Sequence, residues 1–143
     1  MIGQVAIVVP VFVLVAVIYA VWATMFVQRG RLMKAKPPRR EDFATGSAAM
    51  AYFEPAEMPA NNLRNLYEMP VLFFAIIPLL LITHNANHIQ IVLAWAYVVL
   101  RAIHSIIHVS RGPVVPRFMI YAASCAVLLA MWIGLAVDVL TAG

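Results

Sequence analysis

Three long stretches of the chain contain no Lys, Arg, Asp or Glu, and they restrict its fold more than any other feature. These stretches are residues 1–28, 69–100 and 118–137. Each has at least the roughly 20 apolar residues that cross a hydrocarbon core of about 30 Å. Because backbone polar groups in lipid must be paired within the segment, we expect each stretch to be helical.

The middle stretch is too long for one span, and the polar residues 83–88 at its centre divide it into two. The sequence therefore predicts four transmembrane helices, at about residues 4–28, 62–83, 89–110 and 116–139. Only 11% of the residues are charged, whereas a soluble domain carries roughly a quarter. We expect an all-α fold, an integral membrane four-helix bundle running up-down-up-down, with residues 1–143 forming a single domain.

The basic residues predict how the bundle is oriented. Six of them follow the first apolar stretch and two flank the turn before the last one: Arg29, Arg31, Lys34, Lys36, Arg39 and Arg40, then Arg111 and Arg117. The positive-inside rule places these loops in the cytosol and both termini outside. A basic cluster that follows an apolar stretch also favours a retained first helix over a signal peptide.

This orientation accounts for the excess positive charge, so no nucleic-acid partner is expected. The short loops favour a bacterial inner membrane. The only long connection, residues 29–61, is predicted to be a cytosolic loop that contains ordered turns.

Prolines and the single cysteine carry further predictions. Pro70 and Pro78 lie within the second predicted span, and each is expected to kink or loosen it. Pro116 suits the first position of the last helix, where its missing N–H is harmless. Cys125 has no partner for an intrachain disulfide, and a small packing residue is the simplest interpretation of it.

Ionisable and polar residues in three of the apolar helices predict a functional site, because such groups are costly in lipid. Spacings of three and four place each set on one helix face. The sets are Asn61, Arg64, Asn65 and Glu68 on the second helix; Arg101, His104, Ser105, His108 and Arg111 on the third; and Arg117 and Tyr121 on the fourth.

Arg101 is the residue of this set that is most costly to place in the membrane. It lies ten residues from Arg111, which is about 15 Å along a helix and half the hydrocarbon thickness. Such an Arg needs an anionic partner. We expect that partner to be Glu68, because Asp138 lies at the other end of the bundle. A purely structural Arg–Glu pair is the alternative interpretation.

Arg117 sits at a helix N-terminus, where the helix dipole gives a cation no benefit. That arrangement favours a bound anion, although an interfacial anchor with a neighbouring Tyr is the simpler alternative. Taken together, the three helices bring cations and donors to one level of the bundle. The sequence predicts binding of a small anionic polar ligand from the cytosol, beside lipid-facing helices that admit an apolar partner.

The same residues resemble a known family. Arg64-Asn65-x-x-Glu68, Arg101-x-x-His104 and Arg117-x-x-x-Tyr121 are similar to motifs of the MAPEG family, the membrane-associated proteins of eicosanoid and glutathione metabolism. The resemblance covers the whole chain: four helices, a basic first cytosolic loop and the family's nine-residue step from His108 to Arg117. One departure is His108, where better-known members have a tyrosine.

The resemblance implies a homotrimer that binds glutathione near the cytosolic face, at subunit interfaces, and attacks a lipophilic substrate arriving through membrane lipids. The implied activity is that of a glutathione transferase or peroxidase, with Arg117 nearest the sulfur and Tyr121 beside it as catalytic residues. An Arg from the first helix of the neighbour, Arg29 or Arg31, is also implied. The implied glutathione-binding set is Arg31, Arg64, Asn65, Glu68, Arg101, His104, His108, Arg117 and Tyr121.

Two other functions fit parts of the sequence. His104 and His108 are four residues apart, and with Glu68 they could form a two-His-one-carboxylate zinc site; the adjacent Arg101 disfavours a cation, and no metal is expected. The second alternative is a non-catalytic subunit of a larger complex. The last helix offers small residues for close packing against another helix, namely Ala122, Ala123, Ala126, Ala130, Gly134 and Ala136.

Overall fold

The computed structural model describes residues 2–141, with side chains described from Val5 onward. It contains six α-helices and two short 3₁₀ turns in that range. The helices are α1 (Ile2–Ala35), α2 (Gly46–Phe53), α3 (Met58–Leu66), α4 (Pro70–Ile82), α5 (His88–Val109) and α6 (Val114–Thr141). The 3₁₀ turns span Arg40–Phe43 and Glu54–Ala56.

Four segments are long and apolar enough to cross a membrane: Val5–Ala35, Met58–Ile82, His88–Val109 and Val114–Thr141. They pack side by side, with α5 against α6 and α1, α3 against α1 and α5, and α4 against α6 and α1. The predicted all-helical bundle of four apolar helices is therefore confirmed.

The outer surface of the bundle is apolar, and an apolar core lies inside it. Phe12 is 67% exposed and Leu140 is 81% exposed, and a soluble protein rarely shows so much apolar surface. Inside, a continuous core contains Leu14, Phe73, Ile76, Leu80, Val98, Leu128 and Met131. Contact with lipid accounts for this exposed apolar surface, and the chain is an integral multi-pass membrane protein.

Several helix boundaries differ from the predicted ones. α1 continues through the basic cluster to Ala35, because helical backbone remains favourable where the helix leaves the hydrocarbon layer. The second span is interrupted between Leu66 and Pro70. A proline ring clashes with the carbonyl four residues before it, which for Pro70 is that of Leu66. Pro78, by contrast, is accommodated inside α4.

Both tight connections end a helix with a residue in the left-handed region. His84 after α4 has φ 58° and Arg111 after α5 has φ 55°. After α5, the Gly112 N–H bonds to the Ile107 carbonyl at 2.8 Å and the Arg111 N–H to His108 at 3.2 Å. This is the Schellman arrangement. A Cβ at position 112 would lie 2.6 Å from the Ile107 side chain, so glycine is needed there.

The start of α6 is also earlier than expected. The helix begins at Val114, so Pro116 occupies its third position and not its first. The N–H groups of the first turn of a helix have no acceptor within that helix. Proline, which lacks this N–H group, is therefore tolerated at the third position as it would be at the first.

A buried polar contact joins α5 and α6 at the opposite end of the bundle. The Gln90 side chain is buried, and its Nε2 donates to the Met131 carbonyl at 3.0 Å. Gly134 makes room for it, because a Cβ there would lie 2.8 Å from Gln90 Nε2.

We expect Gly134→Ala to displace the Gln90 amide and weaken this bond. Hydrogen bonds between membrane helices contribute roughly 0.6 kcal/mol on average and up to about 1.7, so Gly134→Ala should unfold in detergent at a lower temperature than Gly30→Ala, which gains the same helix propensity from its added methyl group. Gly30→Ala is the matched control, because nothing lies within 4 Å of a Cβ at Gly30. Equal unfolding temperatures for the two variants would contradict the prediction.

Candidate functional site: a cationic cavity at one end of the bundle

A cavity of about 320 Å³ lies where the end of α3, the last turns of α5 and the start of α6 meet. Ligand pockets in proteins occupy roughly 300–1,000 Å³, so this cavity suits a small ligand. Its lining residues are Asn65, His104, His108, Val114, Arg117, Phe118 and Tyr121.

Arg101 stands behind two of the lining residues. Its side chain is completely buried, and Nη2 donates to the Asn65 carbonyl oxygen at 3.0 Å and to Asn65 Oδ1 at 3.4 Å. The guanidinium carbon lies 5.3 Å from the centroid of the Tyr121 ring. Within residues 2–141, Arg101 Nε and Nη1 have no hydrogen-bond partner.

The predicted pairing of Arg101 with Glu68 is wrong. Glu68 is exposed and makes no salt bridge in the described part of the chain, where the one ion pair joins Arg29 to Glu57 at 3.2 Å. The reason is the interruption before Pro70: α3 ends at Leu66, so the helical spacing that would carry Glu68 onto the face of Asn65 does not continue. The backbone carbonyl and the side-chain amide of Asn65 hold Arg101, and a carboxylate does not.

Aromatic and imidazole rings form a column beside the cavity. The ring centroids of His108 and His104 are 5.5 Å apart, and those of His104 and Tyr121 are 5.6 Å apart. His104 Nδ1 donates to the Arg117 carbonyl oxygen at 3.2 Å, which ties α5 to the first turns of α6. His104 Nε2 and His108 Nδ1 have no partner among the residues described.

The structure thus brings most of the predicted site together. Five predicted residues line the cavity, namely Asn65, His104, His108, Arg117 and Tyr121, and Arg101 contacts two of them. Arg31, Arg64 and Glu68 are exposed and lie outside the lining set. Arg111 does not lie on the predicted face of the third helix. It lies beyond the end of α5, and its guanidinium donates to the Pro55 carbonyl oxygen.

Two arginines near the end of α1 lie in different surroundings. The Arg29 guanidinium bonds to Glu57 and lies 4.7 Å from the centroid of the Phe53 ring. It therefore holds the segment between α1 and α3 against the end of the bundle. Arg31 is exposed instead.

Sequence analysis missed Asn62, which is completely buried. Its Oδ1 accepts a long hydrogen bond, 3.5 Å, from Ser105 Oγ, and its Nδ2 has no partner within the described range. The available signal was that Asn62 precedes the buried Leu66 by four residues and shares its helix face.

The donor set determines which ligands the cavity can accept. Arg117 brings a guanidinium group to the cavity wall, Arg101 places a second one behind Asn65 and Tyr121, and no carboxylate lines the cavity. A buried cation without a counter-charge is costly, and a ligand that carries negative charge offsets this cost. The three-ligand group His104, His108 and Glu68 does not form, and no other cluster of three metal-binding side chains occurs in residues 2–141.

These features define a class: a multi-pass helical membrane protein with a cavity at one end of its bundle that is lined by basic, amide and hydroxyl side chains and by no carboxylate. The sequence model of the MAPEG family matches residues 7–137 of the 143-residue chain. The chain therefore belongs to the MAPEG family, which confirms the resemblance seen in its motifs. The family includes glutathione transferases and peroxidases as well as non-catalytic members. No curated protein and no solved structure matches the chain.

Proposed function

We propose that this protein is a membrane-bound glutathione transferase or peroxidase that activates the glutathione thiol for reaction with a lipophilic substrate. The observation that carries the proposal is the cavity: one guanidinium group, two imidazoles, an amide and a phenol line a space without a carboxylate, and a second guanidinium group lies directly behind the wall. Glutathione has two carboxylates, so it matches this donor set. Family membership supports the same ligand.

The buried donors support glutathione binding in detail. Nε and Nη1 of Arg101 have no partner within residues 2–141, and a guanidinium binds a carboxylate through two parallel N–H groups. His104 and His108 add ring nitrogens on the same side. Asn65 fixes the Arg101 side chain at 3.0 Å, so this donor is preorganised for the ligand.

Arg117 and Tyr121 are the proposed catalytic residues. Both line the cavity, one helical turn apart on α6. A free thiol has a pKa of about 8.5, and the thiolate is the reactive form. A neighbouring guanidinium favours the thiolate. The thiolate then attacks an electrophilic carbon to form the S–C bond of a conjugate, or attacks the oxygen of a peroxide.

The site is proposed to be completed by a second copy of the chain in a homotrimer. Arg64 and Glu68 are exposed near the cavity end of α3, where they can contact glutathione held between neighbours. Since Arg29 is engaged by Glu57 at 3.2 Å, Arg31 is the residue of α1 that we assign to the neighbour's site. The basic end of the bundle is proposed to face the cytosol of a bacterial inner membrane.

The exposed small residues of α6 support the second candidate, a non-catalytic subunit. Ala126 and Ala130 are exposed on the lipid-facing side of the helix, where close packing with another membrane helix is favourable. A subunit of this kind would bind glutathione without turnover or would not bind it at all.

Glutathione binding to the detergent-purified protein tests the proposal. We expect saturable binding by calorimetry, and binding about tenfold weaker or worse for the glutathione diethyl ester, whose carboxylates are blocked. Hydrogen bonds to charged groups contribute roughly 1.5–3 kcal/mol, and tenfold corresponds to about 1.4 kcal/mol. Absence of saturable binding, or equal affinity for the ester, would overturn the proposal. Binding without turnover of any lipophilic electrophile or hydroperoxide would favour the non-catalytic subunit.

A further inference from the structure

Four basic side chains surround the end of α1, where this helix leaves the apolar part of the bundle. All four are exposed, and none belongs to the glutathione-binding set proposed above. In the described part of the chain the one ion pair joins Arg29 to Glu57, so these four cations have no carboxylate partner there. We call them the basic rim: Lys34, Lys36, Arg39 and Arg40.

The basic rim is part of a folded segment. The hydroxyl of Tyr52, a buried residue of α2, donates to the Lys36 carbonyl oxygen. The Lys36 ammonium nitrogen lies 5.6 Å from the centroid of the same tyrosine ring. The Arg39 backbone N–H donates to Asp42 Oδ2 at 2.7 Å, at the start of the first 3₁₀ turn. These contacts hold the residues after α1 against α2, so the cations occupy a defined place.

A cavity of about 480 Å³ lies within the basic rim and is lined by Ala35, Lys36, Pro37, Arg39 and Asp42. Asp42 is the one carboxylate in this lining, and its Oδ2 already accepts the Arg39 N–H. An ammonium and a guanidinium therefore border a space large enough for a phosphate group. A guanidinium binds phosphate through two parallel N–H groups.

The basic rim lies at the depth of the lipid headgroups. Val27 is the last apolar residue before the charged part of α1, and Lys34 follows seven residues later, which is about 10 Å along the helix. The headgroup layer is roughly 5–8 Å thick on each side of the hydrocarbon core. Side chains in a helix lean toward its N-terminus, so Lys34 leans back toward the membrane, and its long apolar stem spans the remaining distance.

Exposed apolar side chains accompany the cations. The Phe43 ring is 45% exposed and packs on the Tyr52 ring, with centroids 5.5 Å apart, so it shares its support with Lys36. Met50 on α2 is 62% exposed. Cations together with exposed aromatic and apolar side chains are typical of segments that lie in the membrane interface. A soluble acidic partner would leave these apolar side chains unexplained, so the headgroup layer is the better fit.

We propose that the basic rim binds anionic phospholipids of the leaflet at this end of the bundle through their phosphate groups. Lys and Arg near such a surface each strengthen binding roughly fivefold. Two acidic residues, Glu41 and Asp42, lie beside the four cations, so the rim keeps a net positive charge. The positive-inside rule concerns how a chain is inserted, whereas this inference concerns which lipids the folded protein retains. It goes beyond the proposed glutathione chemistry and does not depend on it.

The test is lipid binding to the full chain purified in detergent, measured by native mass spectrometry. The protein is titrated with dioleoylphosphatidylglycerol, which is anionic, or with dioleoylphosphatidylcholine, which has the same chains and no net charge. We expect the first phosphatidylglycerol to bind about tenfold more tightly than the first phosphatidylcholine, or better. Glycerol 3-phosphate at the same concentration as the lipid should not displace it, because it lacks the chains that lie in the apolar layer.

Two variants remove charge from the rim. Replacing all four cations by Gln should abolish the preference for phosphatidylglycerol. Lys34→Gln with Arg40→Gln should lower it about fivefold or more. The double variant is the safer test, because among the described residues the side chains of Lys34 and Arg40 make none of the contacts that hold Lys36 and Arg39. Thermal unfolding in phosphatidylcholine and detergent shows whether each variant is folded.

Glu41→Gln is the matched control. It changes an exposed residue of the same segment by one unit of charge in the opposite direction, so its preference for phosphatidylglycerol should equal or exceed that of the wild type. Equal affinity of the wild type for the two lipids, or an unchanged preference in the folded double variant, would overturn the proposal. Displacement by glycerol 3-phosphate would overturn the assignment to a lipid. Glutathione is absent throughout, so a failure here is separate from a failure to bind glutathione.

Discussion

Arg101→Ala is expected to abolish measurable glutathione binding. The substitution removes the cation behind the cavity wall, two N–H groups that have no partner within residues 2–141, and the 3.0 Å bond that holds the Asn65 carbonyl. Hydrogen bonds to a charged group contribute roughly 1.5–3 kcal/mol each, so the affinity should fall by about a hundredfold or more. Calorimetric titration with glutathione measures this, after gel filtration has shown that the variant is monodisperse.

Arg101→Lys separates the loss of charge from the loss of geometry. Lysine keeps a cation behind Asn65 but lacks the planar fork that pairs with a carboxylate, so we expect an intermediate loss of about tenfold. Arg40→Ala is the control, because Arg40 is exposed in the 3₁₀ turn and lies outside the cavity. Wild-type affinity in both Arg101 variants would contradict the assigned role of this residue.

The architecture was predictable because few backbone structures are stable in lipid. Long stretches without charge, together with the need to pair every backbone group, predict four apolar helices with little dependence on detail. The break at Leu66–Pro70 was less predictable. A proline in a membrane helix either kinks it or interrupts it, and the outcome depends on whether neighbouring helices hold the two halves in line.

The candidate site was predictable where it depends on spacing within one helix. Arg101, His104 and His108 share a face of α5, and Arg117 and Tyr121 share one on α6. The partner of Arg101 was not predictable in this way. The Glu68 assignment assumed a continuous helix, whereas Asn65 is the group that the packed helices actually bring against the guanidinium at 3.0 Å.

The cavities themselves also escaped sequence analysis. Whether a half-buried residue such as Cys125 packs against a neighbour or borders a space depends on how closely α4 and α6 approach. Tyr97 is a similar case: it is completely buried and its hydroxyl has no hydrogen-bond partner among the residues described, but nothing in the sequence around a tyrosine in an apolar helix shows whether an acceptor lies near it. Such features follow from the packing of whole helices and have no local pattern.

Arg117→Ala is expected to abolish the thiolate form of bound glutathione near neutral pH. Lowering a thiol pKa by two units requires about 2.7 kcal/mol, and a partly buried guanidinium at the cavity wall can supply it. Without Arg117 the pKa of the bound thiol should return to about 8.5. The thiolate fraction at pH 7 then falls from about three-quarters, at a pKa two units lower, to about 3%, so kcat/KM at pH 7 should fall roughly 25-fold. The ultraviolet thiolate absorbance on adding glutathione to purified protein measures the effect directly.

The pH dependence distinguishes thiolate stabilisation from simple loss of binding. Below the thiol pKa the variant holds mostly the unreactive form, so the deficit is largest there. It should shrink as the pH rises above about 8.5, because the thiolate then forms without help. Arg117→Lys, which keeps a cation at the start of α6, should retain part of the neutral-pH signal. A thiolate signal unchanged in Arg117→Ala, or a deficit that stays constant with pH, would show that another group activates the sulfur.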